Sequence, residues 1–127
     1  FGEEEGKAAG IKLIGNLFLI AMTAGLSDAL GLAKALNIDS ADIASLFASW
    51  NPGAGAPARL DKLRKGDFGN PSWELNMARK DAGLMMDAAN EQDVKLTVLP
   101  AVAAAMDNWI AKGQGSADWS IIAKDNV

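Results

Sequence analysis

Gly10-Ile11-Lys12-Leu13-Ile14-Gly15-Asn16 lies inside an apolar run from Ala8 to Ser27 in which Lys12 is the only charged side chain. Leu17, Phe18, Leu19, Ile20 and Met22 extend the run, so the segment reads as a buried helix. A lysine among such neighbours is costly unless something pairs with it or uses it. At about 100° per residue, Lys12, Thr23, Asn16 and Ser27 fall at roughly 0°, 20°, 40° and 60°, a single narrow polar stripe. Lys12 and Asn16, four apart, are neighbours on it. On the residues alone two readings stand: a lysine snorkelling to water along its own stem, or a lysine with a task.

The surrounding chain has 127 residues, enough for one domain with one core. Half of it is hydrophobic, its charge is moderate and mixed, and the net charge is −4, a globular composition. An acidic balance without a basic block excludes nucleic acid as the expected partner. With no Cys and no His there is no disulfide framework, thiol nucleophile, Ser-His-Asp triad or His-ligated metal. No acidic cluster has ligand spacing, so no metal is expected. Lack of Cys fits a reducing compartment, and a cytoplasmic location is expected.

The apolar run is long enough to require a membrane check. Its Lys, Asn, Thr and Ser, together with its many Ala and Gly, weaken it below the ~20 strongly apolar residues of a spanning helix, and no membrane partner is expected. Glu3-Glu4-Glu5 stands where a signal peptide would need basic residues. The chain starts at Phe1 without Met and reads as a piece of something longer.

Every long periodic segment has helical period, which predicts an all-α fold of several helices around one long central one. The first helix is expected over about Lys7–Leu36, with interior glycines at 10, 15, 25 and 31 where other helices cross closely. Packing on several sides follows from those glycines, with Asp28, Lys34 and the terminator Asn37 marking a wetter end. A second helix follows from an N-cap at Ile38-Asp39-Ser40 through Trp50, carrying Ile43, Leu46, Phe47 and Trp50 on one side. Asn51–Pro57, with two Pro and two Gly, is a break. A short basic helix over Ala58–Lys65 closes at Gly66, with Arg59, Lys62, Arg64 and Lys65 read as a solvated face. Ser72 is expected to cap a helix from Trp73 to about Asn90. Asp93–Val98 reads as an extended connector. A Pro100-led helix runs through Lys112 to Gly113, and Asp118 caps a last short helix over Trp119–Ala123.

In this order the segments resemble the C-terminal domain of the β-hydroxyacid dehydrogenases, the 3-hydroxyisobutyrate dehydrogenase family. The resemblance covers nearly the whole chain. It rests on Lys12-Leu13-x-x-Asn16, Asp28-Ala29-x-x-Leu32-Ala33, Gly66-Asp67-Phe68, Lys80-Asp81-x-x-Leu84, the Pro-led helix and Gly113-x-Gly115-x-x-Asp118-x-Ser120. Each motif alone is weak; in register they are specific. The resemblance implies that residues 1–127 are a helical substrate and oligomerisation domain, like that of 6-phosphogluconate dehydrogenase. The N-terminal Rossmann half that binds NAD or NADP is absent from this chain, since Gly53-Ala54-Gly55-Ala56-Pro57 lacks the final glycine and the βαβ setting of a dinucleotide loop.

By the same resemblance Lys12 is the catalytic residue, exchanging a proton with the oxygen of a small hydroxy or oxo acid. Asn16 orients substrate or lysine. Lys80 contacts the cofactor. Trp50, before the variable loop, is expected either to line the substrate cleft or to sit in the core, while Trp73, Trp109 and Trp119 are expected to be packing residues. Two positions depart from the family pattern: Asp28 stands where relatives often carry Glu, and Gln114 replaces a common His. Homodimers or tetramers built through this domain are implied as well, and the long apolar helix requires them on its own account. Alone, the chain is expected neither to turn over substrate nor to bind NAD(P) tightly. The competing reading keeps the fold without the chemistry, as a helical self-association module.

Overall fold

A computed structural model describes residues 2–127. Five α-helices and two 3-10 segments make up the chain, and no strand occurs among the described residues. Helix α1 spans Glu3–Ala35, α2 Ser40–Ser49, α3 Ala56–Lys65, α4 Leu75–Glu91 and α5 Leu99–Ala111, with 3-10 turns at Pro52–Gly55 and Trp119–Asn126. The all-α architecture expected from periodicity is the one observed.

Local chemistry sets the boundaries. Asp39 caps α2 by accepting the Ala41 N–H at 2.9 Å. Asn37, Gly66 and Gly113 take left-handed backbone (φ 58°, 68° and 83°), which ends α1, α3 and α5 where the sequence placed the stops. Pro57 and Pro100 sit in the first turns of α3 and α5, where a missing N–H costs nothing. Asn51 accepts the Gly53 N–H at 3.0 Å and turns the expected break into a 3-10 turn running straight into α3.

The core lies at the C-terminal end of the molecule. Leu75 and Ala78 of α4, Met106 of α5 and Ile121 of the last turn are buried together, with Phe68, Trp109 and Trp119 packed against them. Helices α4 and α5 form its two walls and are tied by an Arg79–Asp107 ion pair at 2.7 Å. Trp73 meets Trp119 edge-on at 5.5 Å, so the packing role expected for the tryptophans holds.

Two expectations are corrected. Helix α4 begins at Leu75, not Trp73, and Ser72 does not cap it; the Ser72 N–H and hydroxyl donate instead to Asp118 at 2.8 and 3.1 Å. The long helix is not packed on several sides by its own chain. Ala33 is its only buried residue, and Gly31 its one close crossing, where a Cβ would meet Val94 and Leu96 side chains at 3.2 and 3.3 Å. At Gly10, Gly15 and Gly25 a Cβ would meet nothing. The dry end of α1 is therefore its C-terminal third, and residues from Glu3 to about Met22 project as an arm.

Candidate functional site

The arm carries Lys12 and Asn16 one helical turn apart. Both side chains are exposed, and neither forms a hydrogen bond or ion pair among the described residues. Ile11, Leu13, Ile14 and Leu17 around them are 59–69% exposed. Among the described residues no other segment crosses this length of helix, so Lys12 stands as a cation on an apolar rod.

Trp50 sits elsewhere, at the end of α2. It stacks on Phe47 (ring centroids 5.9 Å apart, planes 13° from parallel) and lines a groove of about 670 Å³ between α2 and the Met22–Leu30 stretch of α1. Apart from Ser40 and Asn51, that groove is apolar. Trp50 is 54% exposed, so it is a groove wall and not a core residue. Lys12 precedes Met22 by ten residues, about 15 Å along the helix axis. Within one chain, then, Lys12 and Asn16 are together while Trp50 is apart from them. Lys80 lies exposed on α4, in the body, also away from the arm.

Two carboxylates that hold the body in shape were less legible from the sequence. Asp28 accepts the N–H groups of Thr97, Val98 and Leu99 at 2.7, 2.9 and 2.8 Å. Those are the orphan donors at the start of α5, whose own N-cap residue, Val98, supplies no side-chain bond. Burial alone would raise the Asp28 pKa, but the three N–H bonds outweigh it and hold the carboxyl below its ordinary value. Asp28 is thus no marker of a wet helix end; it is the bolt between α1 and α5, and its partners lie about seventy residues on.

Asp118 is fully buried. It accepts the Ser72 N–H and hydroxyl, the Ser120 N–H at 3.1 Å and the Ser120 hydroxyl, and it lies 3.2 Å from the Lys62 ammonium. Burial opposes its charge, yet the Ser120, Ser72 and Lys62 bonds prevail and drive its pKa far below the usual carboxylate range. The expected capping role holds, and the residue also pins the Phe68–Ser72 loop and α3. Lys62, read from the sequence as part of a solvated basic face, turns inward to this cluster and to the Asn70 carbonyl at 3.1 Å. The Asp118-x-Ser120 spacing was the available signal. No group of three or more potential metal ligands occurs among the described residues.

Comparison with known proteins places this geometry. The chain is 30% identical over 114 residues to 3-sulfolactaldehyde reductase from Escherichia coli (strain K12), an alignment that covers 88% of this chain and 38% of that enzyme. Its fold matches an imine reductase from Myxococcus stipitatus, solved with NAD+, with a TM-score of 0.86 at 17% identity over 100% of this chain and 46% of that one. A reductive aminase from Aspergillus terreus, in complex with NADPH4, cyclohexanone and allyl amine, gives a TM-score of 0.85 at 18% identity, again over 100% and 46%. The chain therefore spans less than half the length of these relatives. A family model described as the NAD-binding domain of NADP-dependent 3-hydroxyisobutyrate dehydrogenase matches residues 6–125. NAD(P) is the cofactor of that family. With nearly the whole chain matched, it belongs to the 3-hydroxyisobutyrate dehydrogenase family.

Proposed function

We propose that this chain is the C-terminal helical half of an NAD(P)-dependent oxidoreductase of the 3-hydroxyisobutyrate dehydrogenase type. Its substrate would be a small hydroxy or oxo acid, and it would work in the cytoplasm as a homodimer or tetramer. The observation that supports this best is Lys12 itself: an exposed cation one turn from Asn16, on an otherwise apolar arm, in a chain whose family match runs through that arm. A lysine kept only for solubility has no need of an amide one turn away on an otherwise apolar face.

When NAD(P)H is bound, it supplies the hydride that reduces the substrate carbonyl carbon. Negative charge then develops on the carbonyl oxygen. The Lys12 ammonium, placed at that oxygen, stabilises the charge and gives up a proton; in the reverse direction the neutral amine takes it back. Asn16 has one acceptor and two donor positions and holds substrate or lysine in line. Trp50 lines the apolar α1–α2 groove, apart from Lys12 within one chain, and reaches the substrate only where the assembled enzyme brings that groove alongside Lys12. The chain offers no strand and no Gly-rich phosphate loop among its described residues, so it makes no dinucleotide cradle of its own. Exposed Lys80 fits a supporting contact to the cofactor's anionic groups from the α4 side. Isolated, the chain should bind NAD(P)H no better than weakly; micromolar affinity by calorimetry would refute that division of labour.

The deciding experiment is Lys12→Ala in a full-length protein that carries the dinucleotide-binding half. Turnover should fall by about 10²–10⁴, the usual worth of a positioned proton donor, with cofactor KM little changed. Near-normal turnover would leave Lys12 a solubilising residue and favour the non-catalytic assembly module.

A further inference from the structure

We propose that Asn76 is a second cofactor contact on α4, its amide set beside Lys80 by Gly115 so as to hydrogen-bond an uncharged polar group of NAD(P), a ribose hydroxyl or the carboxamide. The inference rests on the reading of Lys80 as a cofactor contact and extends it to a residue that no motif marked.

A remote segment builds the start of α4. Glu74, the N-cap residue, supplies no side-chain bond, so the Leu75 and Asn76 N–H groups need other acceptors. They find the Ala117 carbonyl at 2.8 Å and the Gly115 carbonyl at 2.9 Å. Gly113, in left-handed backbone, ends α5, and the loop that follows it delivers both carbonyls. Gly115 is buried there. A Cβ on it would come within 2.7 Å of the Asn76 Cγ, and closer still to both polar atoms of the amide. The Gly113-x-Gly115 spacing thus has two separate causes: the first glycine stops a helix, and the second clears room for the Asn76 side chain.

The fold draws no bond from the group it makes room for. Asn76 is exposed, and its amide forms no hydrogen bond among the described residues. Lys80, one helical turn on, is exposed and without a partner in the same way. Residues four apart share a helix face, with about 5–6 Å between their Cβ atoms. Arg79, the other cation in this turn, is engaged by Asp107 at 2.7 Å and leaves that face to Asn76 and Lys80. An ammonium offers a charge and donors only, whereas an amide offers two donors and an acceptor. The pair therefore suits a ligand that carries an anionic group near a neutral one able both to donate and to accept. A nicotinamide dinucleotide has both, in its phosphates and in its ribose hydroxyls and carboxamide. Holding the amide against Gly115 lowers the cost of ordering it when the ligand arrives.

The test uses a full-length protein that carries the dinucleotide-binding half, with NAD(P)H binding read by fluorescence titration and turnover read beside it. Asn76→Ala should raise the NAD(P)H dissociation constant and the cofactor KM about three- to tenfold, the worth of one neutral hydrogen bond. Its kcat and melting temperature should stay those of the parent. Unchanged NAD(P)H affinity would overturn the proposal, and so would a loss of affinity that comes with a falling melting temperature, since Asn76 would then be structural. Gly115→Ala displaces the amide and should weaken binding by a similar factor, with the double variant no worse than the poorer single one. Additive losses in the double variant would overturn the role given to Gly115. ADP-ribose, which lacks the carboxamide, identifies the group: a loss shared by ADP-ribose places Asn76 on a ribose hydroxyl, and a loss confined to NAD(P)H places it on the carboxamide. Lys80→Ala is measured alongside. Weakened binding there with none in Asn76→Ala removes Asn76 alone, while weakened binding in Asn76→Ala with none in Lys80→Ala removes Lys80 and keeps Asn76 as the contact.

Discussion

The two ends of α1 belong to different kinds of structure. At its C-terminal third, Ala33 is buried, Gly31 is crossed closely by Val94 and Leu96, and Asp28 is bolted to three backbone N–H groups. In its N-terminal two thirds no residue is buried, and Lys12 and Asn16 have no partner among the described residues. The same helix thus passes from a place where the fold uses Asp28 to one where Lys12 and Asn16 are left unbonded among the described residues. What remains unused is what is available for chemistry and for assembly. Polar residues that hold the body should therefore matter to stability, and those on the arm should matter to activity alone.

The largest stability effect should come from Asp118. Replacing it with Ala removes the acceptor for Ser72 and Ser120 and leaves the half-buried Lys62 ammonium without its carboxylate. Breaking a buried pair in this way costs about 3–5 kcal/mol. Urea unfolding should show a lower midpoint with an unchanged slope. A loss below about 1 kcal/mol would mean that the cluster contributes little to holding the body.

Acid should do the same reversibly. The folded Asp118 carboxyl titrates well below its unfolded counterpart, so as pH falls past about 4 the unfolded chain takes up the proton first. The stabilisation is whole near neutrality and drains away through the acid range. Asp28, shifted the same way, adds to it. The wild-type midpoint should fall between pH 5 and pH 3, and Asp118→Ala should flatten that dependence.

Slightly below Asp118 stands the core itself. Leu75 is fully buried at the first turn of α4, and Leu75→Ala should cost about 2–5 kcal/mol as transfer and cavity terms add. Leu13→Ala, an equal loss of side chain on the exposed arm, should leave unfolding of the body within about 0.5 kcal/mol. Comparable losses from the two would erase the distinction between body and arm.

The sequence was legible where the physics is local. Asp39, Asn37, Gly66 and Gly113 act within a few residues of themselves, and they mark the helix ends they were expected to mark. It was less legible where a residue's partner is remote. Ser72 has the composition of a cap for the helix beside it, but its acceptor lies 46 positions on. Asp28, in the same way, reads as a surface charge until α5 is seen to start on it. The arm misleads for a third reason: a run that is apolar all round reads as buried, and composition does not say whether its own chain or another one covers it. Of the site residues, Lys12 and Asn16 stand out by their place on an apolar helix, and their roles came from family resemblance. Trp50 and Lys80 came from family resemblance, and the fold sets them in two different regions.

Removing the Asp28 carboxylate should have a moderate effect. Asp28→Ala leaves the N–H groups of Thr97, Val98 and Leu99 to water, and loss of a cap of this kind costs about 0.5–2 kcal/mol. Asp28→Glu keeps the charge but moves the oxygens outward by one methylene, so it should recover only part of the loss. Full recovery would show that this cap is served by charge alone, whatever its reach. Hydrogen exchange offers a local readout, since the first-turn amides of α5 should lose protection before those of α4 do.

The smallest stability effect falls to the residue with the largest expected effect on turnover. Lys12 is exposed on the arm, so Lys12→Ala should change unfolding free energy by no more than about 0.5 kcal/mol. Removing the one charge in an apolar run favours the helix, because Ala is a better helix former and no ammonium needs water. That gain is a few tenths of a kcal/mol, lysine itself being a good helix former. Turnover in the full-length protein should meanwhile fall by about 10²–10⁴. A variant as stable as the parent and nearly inactive separates the two roles in one measurement. Were the loss of turnover matched by a comparable loss of stability, Lys12 would belong with Asp28 and Asp118 among the residues that hold the molecule together, and the arm would be part of the fold after all.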